Sequence, residues 1–209
     1  MTRVAVISGV AFIVVTALVA AEATTGIDDE WNEAMIDTEV GWLVDVAQVV
    51  SWIGSTTVAI ALAVVIAAAF VVGRRLRHAA AFAGVAIAAF VVSQLVKTLL
   101  DRERPPDPIE LETSGSYPSA SVMVSATAIV LGAALVAGLE WPRWRTSMVA
   151  AASVFVIVMA WSRTYLRAHW LTDVVGGAAG GLAIVAVGIV VLGIALRRSA
   201  PDSRPTVST

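Results

Sequence analysis

Six stretches of this chain run for seventeen residues or more without an Asp, Glu, Lys or Arg, and no other feature restricts its fold as tightly. They are Val4 to Ala21, Val46 to Gly73, Ala79 to Val96, Thr113 to Leu139, Thr146 to Ser162 and Val174 to Leu196. As a helix, each could cross a hydrocarbon core of roughly 30 Å. A chain of 209 residues that is 58% hydrophobic, with a mean hydropathy of +0.86, is too apolar for an ordinary soluble domain. The expected fold is all-α, an integral membrane bundle of six transmembrane helices. One domain covers residues 1–198. Residues 199–209, with Pro201 and Pro205 among Ser and Thr, read as a disordered tail.

Orientation follows from the bases. Arg3, then Arg74, Arg75 and Arg77, then Arg143 and Arg145, then Arg197 and Arg198 fall at alternate ends of successive spans, which puts both termini in the cytoplasm. The connection after the first span has Glu22, Asp28, Asp29, Glu30, Glu33, Asp37, Glu39 and Asp45 and no base, so it is expected outside. Apolar Trp31, Met35, Leu43 and Val50 punctuate those acids, which suggests an amphipathic helix over about Ile27 to Val50, lining a lipid path or simply packed on the bundle.

All seven tryptophans lie near span ends or in connections, as interfacial anchors do. The absence of cysteine excludes disulfides, thiol nucleophiles and Cys-ligated metals. The first apolar stretch lacks a convincing small-x-small cleavage site and is read as a span, not a signal peptide. Gly176, Gly177, Gly180 and Gly181 form two overlapping Gly-x-x-x-Gly pairs, a signature of close helix packing.

The unusual polar residues cluster in the two later outward connections. In the segment Ser162 to Asp173, His169 and Asp173 are four residues apart. On one helix face, such a carboxylate can hold the imidazole in one tautomer and stabilise its charged form. Arg163 and Arg167 add donors suited to an anion, although arginines at a membrane boundary also snorkel. Lys97 closes the third span, where an ammonium is costly unless it snorkels or meets an anion, and Arg104-Pro105 follows. Pro118 and Ser119 open the fourth span, whose free amides suit an anion unless Ser116 or Ser119 merely caps them.

The order Lys-x6-Arg-Pro, Pro-Ser and Ser-Arg-x5-His-x3-Asp resembles the type 2 phosphatidic acid phosphatase (PAP2) superfamily, over most of the chain. The resemblance implies that Lys97, Arg104 and Arg163 hold phosphate oxygens, aided by Ser119, Ala120, Ser121, Ser162 and nearby amides. It also implies that His169 attacks phosphorus and that Asp173 orients it, with no metal and no cofactor. The implied partners are a phosphorylated lipid and the bilayer, with the site on the extracytoplasmic side of a multi-pass cell-membrane protein. No nucleic-acid partner is expected.

The second motif departs from the family. Members usually read Pro-Ser-Gly-His there, the histidine protonating the leaving oxygen, whereas this chain reads Pro118-Ser119-Ala120-Ser121. His78, the other histidine, lies beside Arg77 on the expected cytoplasmic side and cannot replace it. Arg102, Glu103, or Ser121 with water are the remaining proton paths. Losing a general acid typically costs about 10²–10⁴ in rate. A lipid alcohol leaves poorly as an alkoxide, but a diphosphate expels a phosphate monoester whose second pKa is about 6. An isoprenoid diphosphate of undecaprenyl or decaprenyl type is therefore the favoured substrate. Phosphatidate or phosphatidylglycerophosphate hydrolysis is one alternative, and a catalytically impaired relative that still binds phosphorylated lipid is another. A transporter would need ionisable groups near mid-membrane, and here they gather at span ends.

Overall fold

The computed structural model describes residues 2–197, which form helices and connections without a strand. The expected tail at 199–209 lies outside the described residues. In chain order the helices are α1 (Thr2–Ala20), α2 (Thr25–Asp37), α3 (Gly41–Ile53), α4 (Thr56–Val72), α5 (Leu76–Leu100), α6 (Ala120–Ser125), α7 (Gly132–Glu140), α8 (Arg145–Tyr165) and α9 (Leu171–Arg197). A π-helical segment, Ala126–Leu131, joins α6 to α7 in one span, Ala120–Glu140.

Five spans, α1, α5, α6–α7, the segment containing α8, and α9, are long and apolar enough to cross a membrane, and the pair α3 and α4 makes a sixth candidate. That pair corrects the expectation of one continuous span from Val46 to Gly73. It bends by 41° at Gly54-Ser55. Ser55 caps α4 by accepting from Val58 N at 3.3 Å. A Cβ on Gly54 would lie 2.1 Å from Met159 Cγ of α8, so only glycine lets the bend seat there. The single amphipathic helix expected over Ile27 to Val50 is likewise two helices. Their junction is pinned to α8 by Tyr165, whose hydroxyl donates to Thr38 O at 3.0 Å and accepts from Val40 N at 2.9 Å. Those ties support the packed-surface alternative.

The span containing α6 is the hub. All six residues of α6 are buried, whereas α1 exposes Val6, Ile7 and Ile13, as a helix facing lipid would. One apolar cluster joins α4, α5, the π segment and α9 through Phe70, Phe82, Leu131 and Val185. A second joins α6, α8 and α9 through Val122, Val156, Met159 and Val174.

The Gly-x-x-x-Gly face of α9 packs against α6. A Cβ on Gly177 would sit 2.7 Å from Ser119 O, and one on Gly181 would sit 2.9 Å from Met123 O. The absence of side chains lets the backbones touch, in line with small-residue packing in membranes. This approach joins the start of the fourth span to the start of the sixth, where Ser119 N donates to Asp173 O at 3.0 Å.

Candidate active site

The His-x3-Asp pair straddles the start of α9. The Arg167 backbone turns left-handed, with φ 54°, after α8 has ended, which lets the chain reverse before α9. His169 Nδ1 then lies 3.3 Å from Asp173 Oδ2, and the same oxygen accepts Trp170 N at 2.9 Å. With the Nδ1 proton held toward the carboxylate, the Nε2 lone pair points away from Asp173. It lies 3.5 Å from Arg104 Nη1. His169 is only 2% exposed, and burial, assisted by the charges of Arg163 and Arg104, pushes its pKa down to about 3 against the pull of Asp173. The ring is therefore neutral near neutral pH, the form that carries a nucleophilic lone pair.

Arg104 is held by carbonyls. Nη1 donates to Ala168 O at 2.5 Å and Nε to Ser114 O at 2.9 Å, and burial lowers its pKa. Arg163 is 1% exposed; Nη1 donates to Ser51 Oγ at 2.5 Å and to Glu110 Oε1 at 2.7 Å. Its Nε has no hydrogen-bond acceptor, and Nη2 is paired with Glu112 Oε1. Buried donors without acceptors are what a ligand with several oxygens satisfies. Lys97 does not snorkel. It is buried at the end of α5, where Nζ donates to Gly115 O, which also accepts from Arg104 Nη2 at 3.2 Å. Lys97 and Arg104 thus share one carbonyl, and Arg104 links them to Arg163 and His169.

Other expected residues are placed differently. Ser119 is the N-cap of α6 but makes no side-chain cap. Its hydroxyl pairs with Ser121 Oγ at 3.2 Å, and its backbone amide is taken by Asp173 O. Ala120 and Ser121 occupy the first turn, where amides lack partners within the helix. Ser162 turns its hydroxyl back along α8 to Met159 O at 2.7 Å. Arg167 faces another set of groups, donating to Asp107 O at 2.7 Å and pairing with Glu39 at 2.5 Å. Ser116 fastens the connection by donating to Glu103 O at 3.0 Å. His78 sits in the first turn of α5 against Phe70, about 28 Å along that helix from Lys97.

Five side chains complete the cluster beyond the motif residues. Arg102 Nη1 reaches Asp173 Oδ1 and Nη2 reaches Asp28 Oδ2, both at 2.6 Å, and its guanidinium lies 5.6 Å from the Trp170 ring centroid. Asp28, on α2 and 1% exposed, also accepts Thr172 N at 2.9 Å and Thr172 Oγ1 at 2.7 Å. Ser51 on α3 donates to Glu110 Oε2 at 2.6 Å. Glu112 bridges Arg104, at 2.7 Å, and Arg163, with Oε2 lying 3.8 Å from His169 Nε2. Arg102 was legible as a basic residue within the first motif and as one possible proton path, and not as the partner of Asp28 and Asp173. Asp28 looks like its neighbours Asp29 and Glu30 in sequence, and no spacing rule marks Ser51, Glu110 or Glu112.

Guanidinium groups gathered beside a buried neutral imidazole, at one end of a bundle of apolar helices, define an anion-binding cluster in an integral-membrane fold. The PAP2 superfamily pattern matches residues 77–196, and the chain belongs to that superfamily, as a multi-pass membrane phosphatase. It is 27% identical over 174 residues to the protein of Bacillus subtilis (strain 168) named phosphatidylglycerophosphatase B, covering 82% of this chain and 86% of that relative. The crystal structure of the first transmembrane PAP2 type phosphatidylglycerolphosphate phosphatase from Bacillus subtilis superposes with a TM-score of 0.82. It covers 96% of this chain and 98% of that one at 22% identity, a likeness of fold.

Proposed function

We propose that this phosphatase removes a terminal phosphate from a membrane lipid through a phosphohistidine on His169, with the site facing the extracytoplasmic side. The observation that carries the reading is the pairing at one imidazole: Asp173 at Nδ1, and Arg104 beside Nε2, linked to Arg163. Nε2 attacks phosphorus in line, the phosphorus–oxygen bond to the lipid breaks, and its electron pair leaves with the lipid oxygen. Water then attacks the phosphohistidine, the phosphorus–nitrogen bond returns its pair to Nε2, and orthophosphate departs with the water's oxygen. Lys97, Arg104 and Arg163 carry the charge that builds on the phosphoryl oxygens, with Ser119, Ala120 and Ser121 supplying further donors from the start of α6. Asp173 stabilises the ring as it becomes cationic.

By the motif resemblance, Ser121 stands at the position where the family usually reads a histidine acid, and a serine hydroxyl is too weak an acid to replace an imidazolium. The leaving group must then be good without protonation, which favours an isoprenoid diphosphate, since it expels a phosphate monoester. The second reading, a phosphatidylglycerophosphate phosphatase, is supported by the name of the Bacillus subtilis relative. Phosphate release by the purified full chain from undecaprenyl diphosphate, phosphatidylglycerophosphate and phosphatidate separates them. His169→Ala should abolish release, and persistence would exclude the phosphohistidine. Ser121→His should accelerate the two monoesters at least tenfold more than the diphosphate. Equal acceleration would remove the leaving-group argument.

A further inference from the structure

Beside His169 an anion is already in place. The Glu112 carboxylate spans the two guanidinium groups, Oε2 on Arg104 at 2.7 Å and Oε1 on Arg163, and Oε2 lies 3.8 Å from the imidazole nitrogen. Glu110 takes the other side of Arg163 and is tied to Ser51. These two acids come from the connection between α5 and α6, which is tied down on both sides of Glu112. Ser116 N donates to Arg102 O at 2.8 Å near α6, and Ile109 N donates to Leu166 O at 3.0 Å. Glu112 lies between those anchors, about a third exposed, on a stretch with no helix or strand to hold it.

We propose that Glu112 is a specificity-determining residue, a tethered carboxylate that every incoming phosphate must displace from Arg104 and Arg163. The proposal rests on the reading of those arginines as the phosphate site. A carboxylate offers one negative charge and two oxygens. A terminal phosphate offers about −1.5 to −2 charges and three acceptor oxygens, so it outcompetes the tether. A phosphodiester headgroup offers one charge and two free oxygens, no more than Glu112 itself. It gains nothing on exchange and faces a competitor held at high effective concentration. The site thereby rejects the diester lipids that surround it in a bilayer and admits terminal phosphates. The competition also lowers apparent affinity for the true substrate by the fraction of molecules in which Glu112 is displaced.

The test is calorimetric titration of the detergent-purified full chain with inorganic phosphate and with dimethyl phosphate, a soluble diester. Glu112→Gln keeps the shape and removes the charge. It should tighten inorganic phosphate about tenfold or more and make dimethyl phosphate bind measurably, whereas the unaltered protein should hold phosphate alone. Glu112→Asp, with its carboxylate on a shorter arm, should fall between, and it carries the test if the glutamine variant does not fold. Unchanged or weakened phosphate binding in folded Glu112→Gln would overturn the proposal. So would a drop in turnover confined to alkyl monoesters with phosphate affinity unmoved, because that is the signature of a proton donor. Arg104→Gln separates the two levels of the argument. If it binds phosphate like the unaltered protein, the phosphate-site reading fails; if it loses phosphate while Glu112→Gln changes nothing, the tether alone fails.

Discussion

Replacing Asp28 with asparagine should slow the chemical step without touching the phosphate. Asp28 is on α2, well outside the motifs, yet it is 1% exposed and takes Arg102 Nη2, Thr172 N and Thr172 Oγ1. The other hand of Arg102 holds Asp173 at 2.6 Å, and Asp173 holds His169. An asparagine can keep Thr172 N on its oxygen, but its NH₂ then meets the Arg102 guanidinium donor to donor. The loss is about one hydrogen bond between charged groups, about 1.5–3 kcal/mol. For a chain of this length each kcal/mol lowers Tm by about 2–4 °C, so a fall of about 3–12 °C is expected. Arg102, released on one side, no longer fixes Asp173. Misplacing an orienting group by about 1 Å can cost about 10² in rate, so kcat should fall about 10- to 100-fold. The assay is phosphate release against substrate concentration in detergent, with the inhibition constant for inorganic phosphate measured in parallel. A positioning role requires that kcat falls while this constant stays within about twofold, because no phosphate-binding side chain is altered. Unchanged kcat in a folded variant would refute the chain of contacts, and equal loss of phosphate binding would show a general collapse of the site instead.

Two further expectations follow from packing and protonation. Gly177→Ala puts a Cβ 2.7 Å from Ser119 O, a backbone atom already accepting from Met123 N at 3.0 Å, so overpacking should exceed the helix gain and leave the protein about 1–2 kcal/mol less stable. Gly9→Ala, with nothing within 4 Å, should be neutral or stabilising, and thermal melts that rank the two in the opposite order would contradict the packing argument. His169 is neutral in the fold because burial lowers its pKa to about 3, whereas the unfolded chain titrates near 6.5. Between these values the unfolded state binds the extra proton, so stability falls as pH drops below about 6.5, by up to about 1.4 kcal/mol per pH unit. His169→Gln should flatten that part of the stability–pH curve, and parallel curves for the two proteins would show that folding does not lower the pKa of the ring.

Much of this protein was legible in the sequence because membranes leave few choices. Charge-free runs of sufficient length can only be buried in lipid or protein, and the five straight spans match them closely. The motif spacing was nearly as local, although not as one helix face: His169 lies two residues ahead of α9 and Asp173 in its first turn, and the short separation still brings them together at 3.3 Å. Gly177 could be read as a contact position because a missing side chain in a membrane helix has few other uses. The bend at Gly54-Ser55 was hidden, since hydropathy measures the run and not its direction. Only the tertiary structure could pick Asp28 from an acidic stretch, or set Glu112 between Arg104 of its own connection and Arg163, 51 residues further along the chain. Coulomb attraction and burial depend on separation in space, and a connection without periodicity carries no record of which charge it will meet. The sequence by itself determined the bundle and the pairing of His169 with Asp173. The folded chain decided that Asp28 steadies Asp173 through Arg102 and that Glu112 lies across Arg104 and Arg163.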